Sequence, residues 1–323
     1  MIRIFTLTPQ GYLNCTEHTT PEEPIELESG ALWIDLVSPD AEEARLVEEA
    51  YGLKIPSHDS IIEIEASSRF FKNGDNVHLR SYFLQESNHS IKGNARNLSV
   101  AFILTPKHLF TIREDELATF DALRYKGQSS PGMMVDPVSI LLHLFETKVD
   151  RLADLLERLT EDLEELGEGV LLKEKHDLQG MLISVARNQD ILDKTRLSLL
   201  DKKRALSFLA RNAIELDGFR GLLNEIIGDI DSLNLHAGFL FEKIEFLLDT
   251  SLGLINLEQN KIIKIFSIAA VLFLPPTLIA SVYGMNFVSM PELHWSFGYP
   301  LSLLLMLASG SLVYFYFKKK GWL

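Results

Sequence analysis

Two stretches near the C-terminal end constrain this chain more than anything else: residues 265–287 carry no charged side chain, and a second uncharged run covers 299–317. The segments 265–283 and 299–317 are each about 28 Å long as helices at ~1.5 Å per residue, close to the hydrocarbon thickness of a bilayer. In lipid, backbone N–H and C=O groups must be satisfied within the segment, so the runs predict two membrane-spanning helices joined by an outer loop, 284–298. Average composition hides this hairpin. The 323 residues are 46% hydrophobic, an ordinary value, because the apolar excess is gathered at one end.

Lys261 and Lys264 precede the first span and Lys318, Lys319 and Lys320 follow the second, whereas 284–298 contains no Lys or Arg and a single acid, Glu292. By the positive-inside rule both termini are cytoplasmic, which places the protein as a multi-pass component of the cell inner (plasma) membrane. Tyr314, Tyr316 and Trp322 stand where interfacial aromatics belong. The opening residues, Met1 to Pro9, lack the apolar core and cleavage pattern of a signal peptide, so the body before the spans is expected to stay in the cytosol. The expected domains are a cytosolic α/β domain at 1–135, a helical region with a long stalk helix at 136–264, and a transmembrane hairpin with a basic tail at 265–323.

A simple tether would need no sorting of side chains around its span. Here Asn260, Ile263, Ser267, Ala270, Leu274, Thr277, Ser281 and Gly284 recur at spacings of three and four. At about 100° per residue they fall within an arc of roughly 120°. The strip holds every neutral hydrogen-bonding side chain of the span except Tyr283. Such a strip fits either a water-lined face or a packing seam of small residues. Pro275 and Pro276 remove two donors at mid-span and free the carbonyls of Val271 and Leu272. Two helices cannot enclose a water column, so conduction along this face would require several chains around one axis.

In the body, strands are expected at 2–7, 31–37, 76–84, 98–104 and 108–113. Ser38-Pro39 reads as an N-cap and first-turn proline opening a helix over 40–50 that Gly52 closes. No prolines occur between Pro137 and Pro275, and apolar spacing there is helical. Gly167-Glu168-Gly169 reads as a turn after a strongly acidic helix, whose charge is either a solvated face or a rim that attracts cations. The last helix before the spans is expected to start near Arg211 and run into the first span. Carried backwards, the strip continues through Asn256, Gly253, Asp249, Phe246 and Glu242.

Asp and Glu outnumber Lys and Arg by 45 to 31, a formal charge of −14, which disfavours nucleic acid as partner and favours cations. The single cysteine, Cys15, excludes an intrachain disulfide and a thiolate cluster. No glycine-rich phosphate loop, nucleophile elbow or His-Glu-x-x-His pattern is present, which leaves an enzymatic reading without a foothold.

Tyr283-Gly284-Met285-Asn286-Phe287, then Met290-Pro291-Glu292-Leu293, then a second span ending in Lys-Lys-Lys-Gly-Trp-Leu323, resembles the CorA family of magnesium and cobalt channels. The resemblance implies a funnel-shaped homopentamer with an α+β cytosolic domain, a stalk helix and two C-terminal transmembrane helices. It implies passive Mg²⁺ influx, with Mg²⁺ as substrate and regulatory ligand and no cofactor required. Gly284, Met285 and Asn286 would form the selectivity filter, with Glu292 concentrating cations at the mouth or serving as an ordinary loop acid. Aligned outward from this motif, Asn260, Ile263, Phe266, Leu274 and Thr277 occupy the pore positions; the bulky Phe266 would be a hydrophobic constriction or would pack on a neighbouring helix. Family members sense cytosolic Mg²⁺ through interface carboxylates, for which Asp59 and Glu225 are the candidates. Lys318 to Lys320 resemble the family's basic collar, and membrane lipid headgroups are a further partner. Zn²⁺, Co²⁺ or Ni²⁺ transport on the same fold, and a membrane-tethered structural or signalling protein, are the alternatives.

Overall fold

The computed structural model describes residues 1–18, 30–56, 69–85, 95–172, 178–212, 218–287 and 290–322. They form two compact units, Met1–Leu248 and Asp249–Leu323. The first unit is built on a seven-stranded sheet of order β2-β1-β3-β7-β6-β5-β4. Its strands are β1 (Ile2–Leu7), β2 (Leu13–His18), β3 (Ala31–Val37), β4 (Phe70–Asn73), β5 (Asn76–Gln85), β6 (Arg96–Leu104) and β7 (Leu109–Arg113). The helices are α1 (Ala41–Tyr51), α2 (Ala118–Ser129), α3 (Pro137–Leu172), α4 (Leu178–Asn212), α5 (Arg220–Tyr283) and α6 (Gly298–Lys319). Of the strand pairs described, β3 and β7 run parallel and the others antiparallel.

All five strands expected from the sequence are present, with ends shifted by a residue or two, and the structure adds β2 and β4 at the two edges. Strand β3 is buried along nearly its whole length because both sheet faces are covered. Side chains alternate, so Ile34 and Leu36 enter one core with Ile2, Ile4, Ile103 and Val47 of α1. Trp33 points to the other face, stacked on Phe5 at 4.2 Å and 6.0 Å from Phe120 of α2. Phe145 of α3 completes that face, edge-on to Phe83 at 5.9 Å.

The same face buries a polar network. Thr111 accepts from Trp33 Nε1 at 2.9 Å and donates to Asp35 at 2.7 Å. Arg113 clamps the fully buried Asp35 carboxylate through Nε at 3.1 Å and Nη2 at 2.8 Å, and its guanidinium lies 4.4 Å from the Phe120 ring. A bidentate Arg–carboxylate pair with its remaining lone pairs bonded is the geometry in which buried charges are tolerable.

Strand β4 pairs with β5 only as far as Leu79, and beyond it helix side chains serve the backbone of β5. Asp201 accepts from the Tyr82 N–H at 2.8 Å, Ser198 donates to the Tyr82 carbonyl at 3.0 Å, and Lys202 donates to that carbonyl as well. Lys148 donates to the Leu84 carbonyl at 2.7 Å. An open strand edge is thereby closed by α3 and α4 instead of by another strand. Burial, with Lys148 nearby, pushes the Lys202 ammonium well below its ordinary range.

Three expectations are corrected. Helix α1 is capped by Asp40 in a capping box with Glu43, and Ser38 instead adopts a left-handed φ of 45°. Two reciprocal bonds to orphan N–H groups outweigh the single one that Ser38 offers. Gly167-Glu168-Gly169 is not a turn: α3 continues through it to Leu172. Packing overrides the weak glycine propensity, for a Cβ at Gly167 would stand 3.8 Å from Leu247 of α5. The stalk helix begins at Arg220 and not near Arg211, which belongs to α4, and Gly218 and Phe219 form a turn before it.

Helices α3, α4 and α5 form an up-down-up bundle. Thr160 meets His236 at 3.2 Å and Glu164 meets Lys243 at 3.5 Å, so α3 and α5 are parallel; Lys203 pairs with Asp231 and Arg196 lies over Phe241, so α4 is antiparallel to both. The buried side of α5 reads Leu223, Ile226, Ile230, Ala237, Leu240, Ile244, Leu247, a heptad seam.

Candidate ion pathway

Helix α5 carries a second face. Starting from Leu235, Phe239, Glu242 and Phe246, positions at alternating spacings of four and three run through Asp249, Gly253, Asn256, Asn260 and Ile263 to Ser267, Ala270, Leu274, Thr277, Ser281 and Gly284. Every one of them is exposed in the single chain. Ile263 is 60% exposed, Leu274 64% and the neighbouring Phe266 71%, values that mark unpartnered apolar groups. The spacing averages 3.5 residues, so the strip drifts by about 20° per heptad and stays on one side only of a left-handed supercoil. Sequence reading followed it back only to Glu242; the same spacing, pursued one heptad further, finds Leu235 and Phe239.

Within 265–283 the less exposed positions of α5 are Ile268, Ala269, Leu272, Pro275, Pro276, Ile279 and Tyr283. At ~100° per residue they centre about 180° from the polar strip. They face α6: a Cβ on Gly310 would lie 3.6 Å from Cγ of Pro276 and 4.0 Å from the Leu272 carbonyl oxygen. The seam with the chain's own second span is therefore the opposite face, and the hydroxyl-bearing strip is not used for it. Helix α5 passes through both prolines without interruption.

Two details bear on what the strip offers a cation. Thr277 Oγ1 donates to the Phe273 carbonyl at 2.7 Å, which commits its proton to the helix and leaves the oxygen as an acceptor. At the end of α5, the Gly284 N–H bonds the Ala280 carbonyl at 2.9 Å and Met285 N–H reaches Val282 at 3.4 Å. A Cβ at Gly284 would approach the Ala280 carbonyl oxygen to 3.1 Å, closer than a side chain comfortably allows. Glycine thus lets the chain turn tightly over the last carbonyls, the negative end of the helix dipole. Met285 and Asn286 beyond it are exposed.

Glu292 lies on the 3-10 turn Pro291–His294; its side chain is outside the described residues. Glu225 is exposed on α5, and Asp59 lies outside the described residues. Among the described residues no group of three or more His, Cys, Asp or Glu side chains is placed to hold a metal ion. On α3, burial together with Glu165 and Glu161 raises the Asp162 carboxyl above its ordinary range.

A sequence profile described as CorA-like Mg²⁺ transporter protein matches residues 28–319. The chain belongs to the CorA family. It is 44% identical over 294 residues to the magnesium transport protein CorA of Escherichia coli K12, covering 91% of this chain and 92% of that protein. Identity to the magnesium transport protein CorA of Salmonella typhimurium is 43% over the same length, with the same coverage. Among solved structures, the complete CorA magnesium transporter of Methanocaldococcus jannaschii superimposes with a TM-score of 0.77 at 19% identity, over 100% of this chain and 99% of that one. Full-length CmaX matches with a TM-score of 0.70 at 15% identity, covering 98% and 97%. The CorA fold thus extends through both units, and among the described residues α5 and α6 are the two helices long and apolar enough to cross a membrane.

Proposed function

We propose that the chain forms a homopentameric channel for passive Mg²⁺ influx, also admitting Co²⁺, in the cell inner membrane with both termini cytoplasmic. The observation that carries this reading is the unbroken exposed strip on α5 from Leu235 to Gly284. A 3.5-residue repeat left bare on a helix whose other side is occupied is suited to meet its copies around a shared axis. Five copies would bury Leu235, Phe239 and Phe246 in the stalk. They would line the membrane part with Asn260, Ile263, Ser267, Leu274, Thr277 and Ser281, and Phe266 would narrow it by excluding water. Asp249 and Asn256 continue the path inward.

Mg²⁺ sheds its water reluctantly, so a filter of neutral oxygens can hold the hydrated ion by hydrogen bonds. Asn286 carboxamides, Gly284 carbonyls and the helix dipole ends supply such oxygens and partial negative charge, Met285 packs behind them, and Glu292 raises cation concentration at the mouth. The 44% identity to a protein named for magnesium transport supports the choice of ion. Asp59 and Glu225 are proposed as the carboxylates through which cytosolic Mg²⁺ holds the channel closed.

The test is uptake into proteoliposomes loaded with a Mg²⁺-sensitive dye. Mg²⁺ entry that is lost in Asn286→Ala with the oligomer intact supports the reading. Entry of Zn²⁺ but not Mg²⁺, or a well-folded oligomer that passes neither, overturns it.

A further inference from the structure

At the inner end of the hairpin, α6 finishes in a fully formed Schellman cap. Gly321 adopts a φ of 70°, its N–H bonds the Lys318 carbonyl at 3.2 Å, and the Trp322 N–H reaches back to the Phe317 carbonyl at 3.0 Å. The Trp322 indole stacks on the Phe317 ring, centroids 5.5 Å apart and planes 9° from parallel. This is the apolar contact that accompanies such caps. The indole is thus held against the helix end and is still 54% exposed.

The contact of Gly310 with Pro276 fixes the level of this cap. Two antiparallel helices rise together, so residues equally far from the contact are level with one another. Ile268 and Phe317, the two buried apolar side chains described in the hairpin, meet this condition to within one residue. Lys264 lies about 18 Å from the contact at ~1.5 Å per residue, Lys318 and Lys319 about 12–14 Å on the α6 side, and the cap folds the Trp322 indole back against Phe317. Pro276 lies near the middle of its span, and half the hydrocarbon core is about 15 Å, so Lys264 and the lysines at the end of α6 come to the headgroup layer, with the Trp322 indole just inside it. Lys318, Lys319 and Lys320 fan around the helix end at ~100° intervals and are exposed, as is Lys264. Glu258 is the one acid within two turns of Lys264.

We propose that Lys264, Lys318, Lys319, Lys320 and Trp322 form a docking surface for the headgroup of an anionic phospholipid. The indole, pinned by the cap, lies along the upper acyl chain, and the ammonium groups take the phosphate and its anionic neighbour. Complementing the helix dipole would need a single cation, and three consecutive lysines beside an interfacial tryptophan exceed that need. The inference rests on the hairpin spanning a bilayer and is independent of what the chain conducts.

The full chain carrying Trp295→Phe, in which Trp322 is the tryptophan within reach of lipid, is reconstituted into phosphatidylcholine vesicles containing a minor share of phosphatidylglycerol. Bromine is placed on the acyl chains of one lipid or the other. Brominated phosphatidylglycerol is expected to quench about fivefold more per molecule than brominated phosphatidylcholine, the worth of one lysine near an anionic surface. The preference should vanish in K318Q/K319Q/K320Q. Equal quenching by the two lipids, or a preference that survives in the triple variant, overturns the docking surface. Quenching by neither lipid overturns it together with the membrane-spanning reading.

Discussion

Gly310 of α6 stands against Pro276 of α5, so close that a Cβ added to the glycine would lie 3.6 Å from the proline ring. The contact sets the register of the hairpin and assigns the proline side of α5 to the neighbouring span. One methyl group fits at that distance, and alanine favours a helix over glycine by about 1 kcal/mol. Gly310→Ala is therefore expected to keep Mg²⁺ uptake and raise the melting temperature in detergent. Gly310→Leu should force the helices apart and lower both, read by dye-loaded proteoliposomes and thermal melting.

Phe239 and Phe246 are 60% and 63% exposed on the bare face of α5. If that face is the oligomer's axis, Phe239→Glu with Phe246→Glu places two charges per chain in its centre. Light scattering should then report monomers, while far-ultraviolet circular dichroism stays unchanged because the seam of Ile230, Leu240 and Ile244 is untouched. An intact oligomer in this variant would remove the main support for the channel reading.

The Asp35–Arg113 pair is buried at both ends. Asp35→Ala removes the buried carboxylate from Arg113, leaves it the part-exposed Glu116, and is expected to cost about 3 kcal/mol. The unit Met1–Leu248 of the full chain should melt at a lower temperature, followed through the emission of Trp33, whose ring belongs to the same network.

Glu116 reports on pH. Partial burial pushes its carboxyl up, but hydrogen bonds from Arg3 and Arg113 and their charges outweigh this and leave it lowered to about 2. A depressed value in the folded chain means that the unfolded chain binds the proton first. The stability Glu116 adds is present above pH 4.5 and is lost as the pH falls toward about 2. Glu116→Gln should flatten this part of the melting temperature against pH curve; an unchanged curve would show that the arginines are satisfied without it.

The two spans, their order, the strip from Asn260 to Gly284 and the Gly-Met-Asn loop were all readable in the sequence, because length without charge and a three-and-four spacing are properties of neighbouring residues. So were the central strands, whose runs of Val, Ile, Leu and Phe are long enough to stand out. Edge strands β2 and β4 were not, since Leu13–His18 is largely polar and Phe70–Asn73 is only four residues long, and both owe their conformation to the strands beside them. The helix through Gly167-Glu168-Gly169 ran against local propensity and was decided by the approach of α5.

The sequence by itself determined that the first span has two unlike sides and ends in a tight, glycine-containing turn. Only the tertiary structure decided which side is left bare. Periodicity names a face but not its partner, and both a water-lined strip and a seam of small residues satisfy the same spacing. The contact of Gly310 with Pro276 rules out a seam between this strip and the chain's own second span, because a helix cannot present one face to two neighbours at once: with the proline side given to α6, the hydroxyl side remains exposed in the single chain.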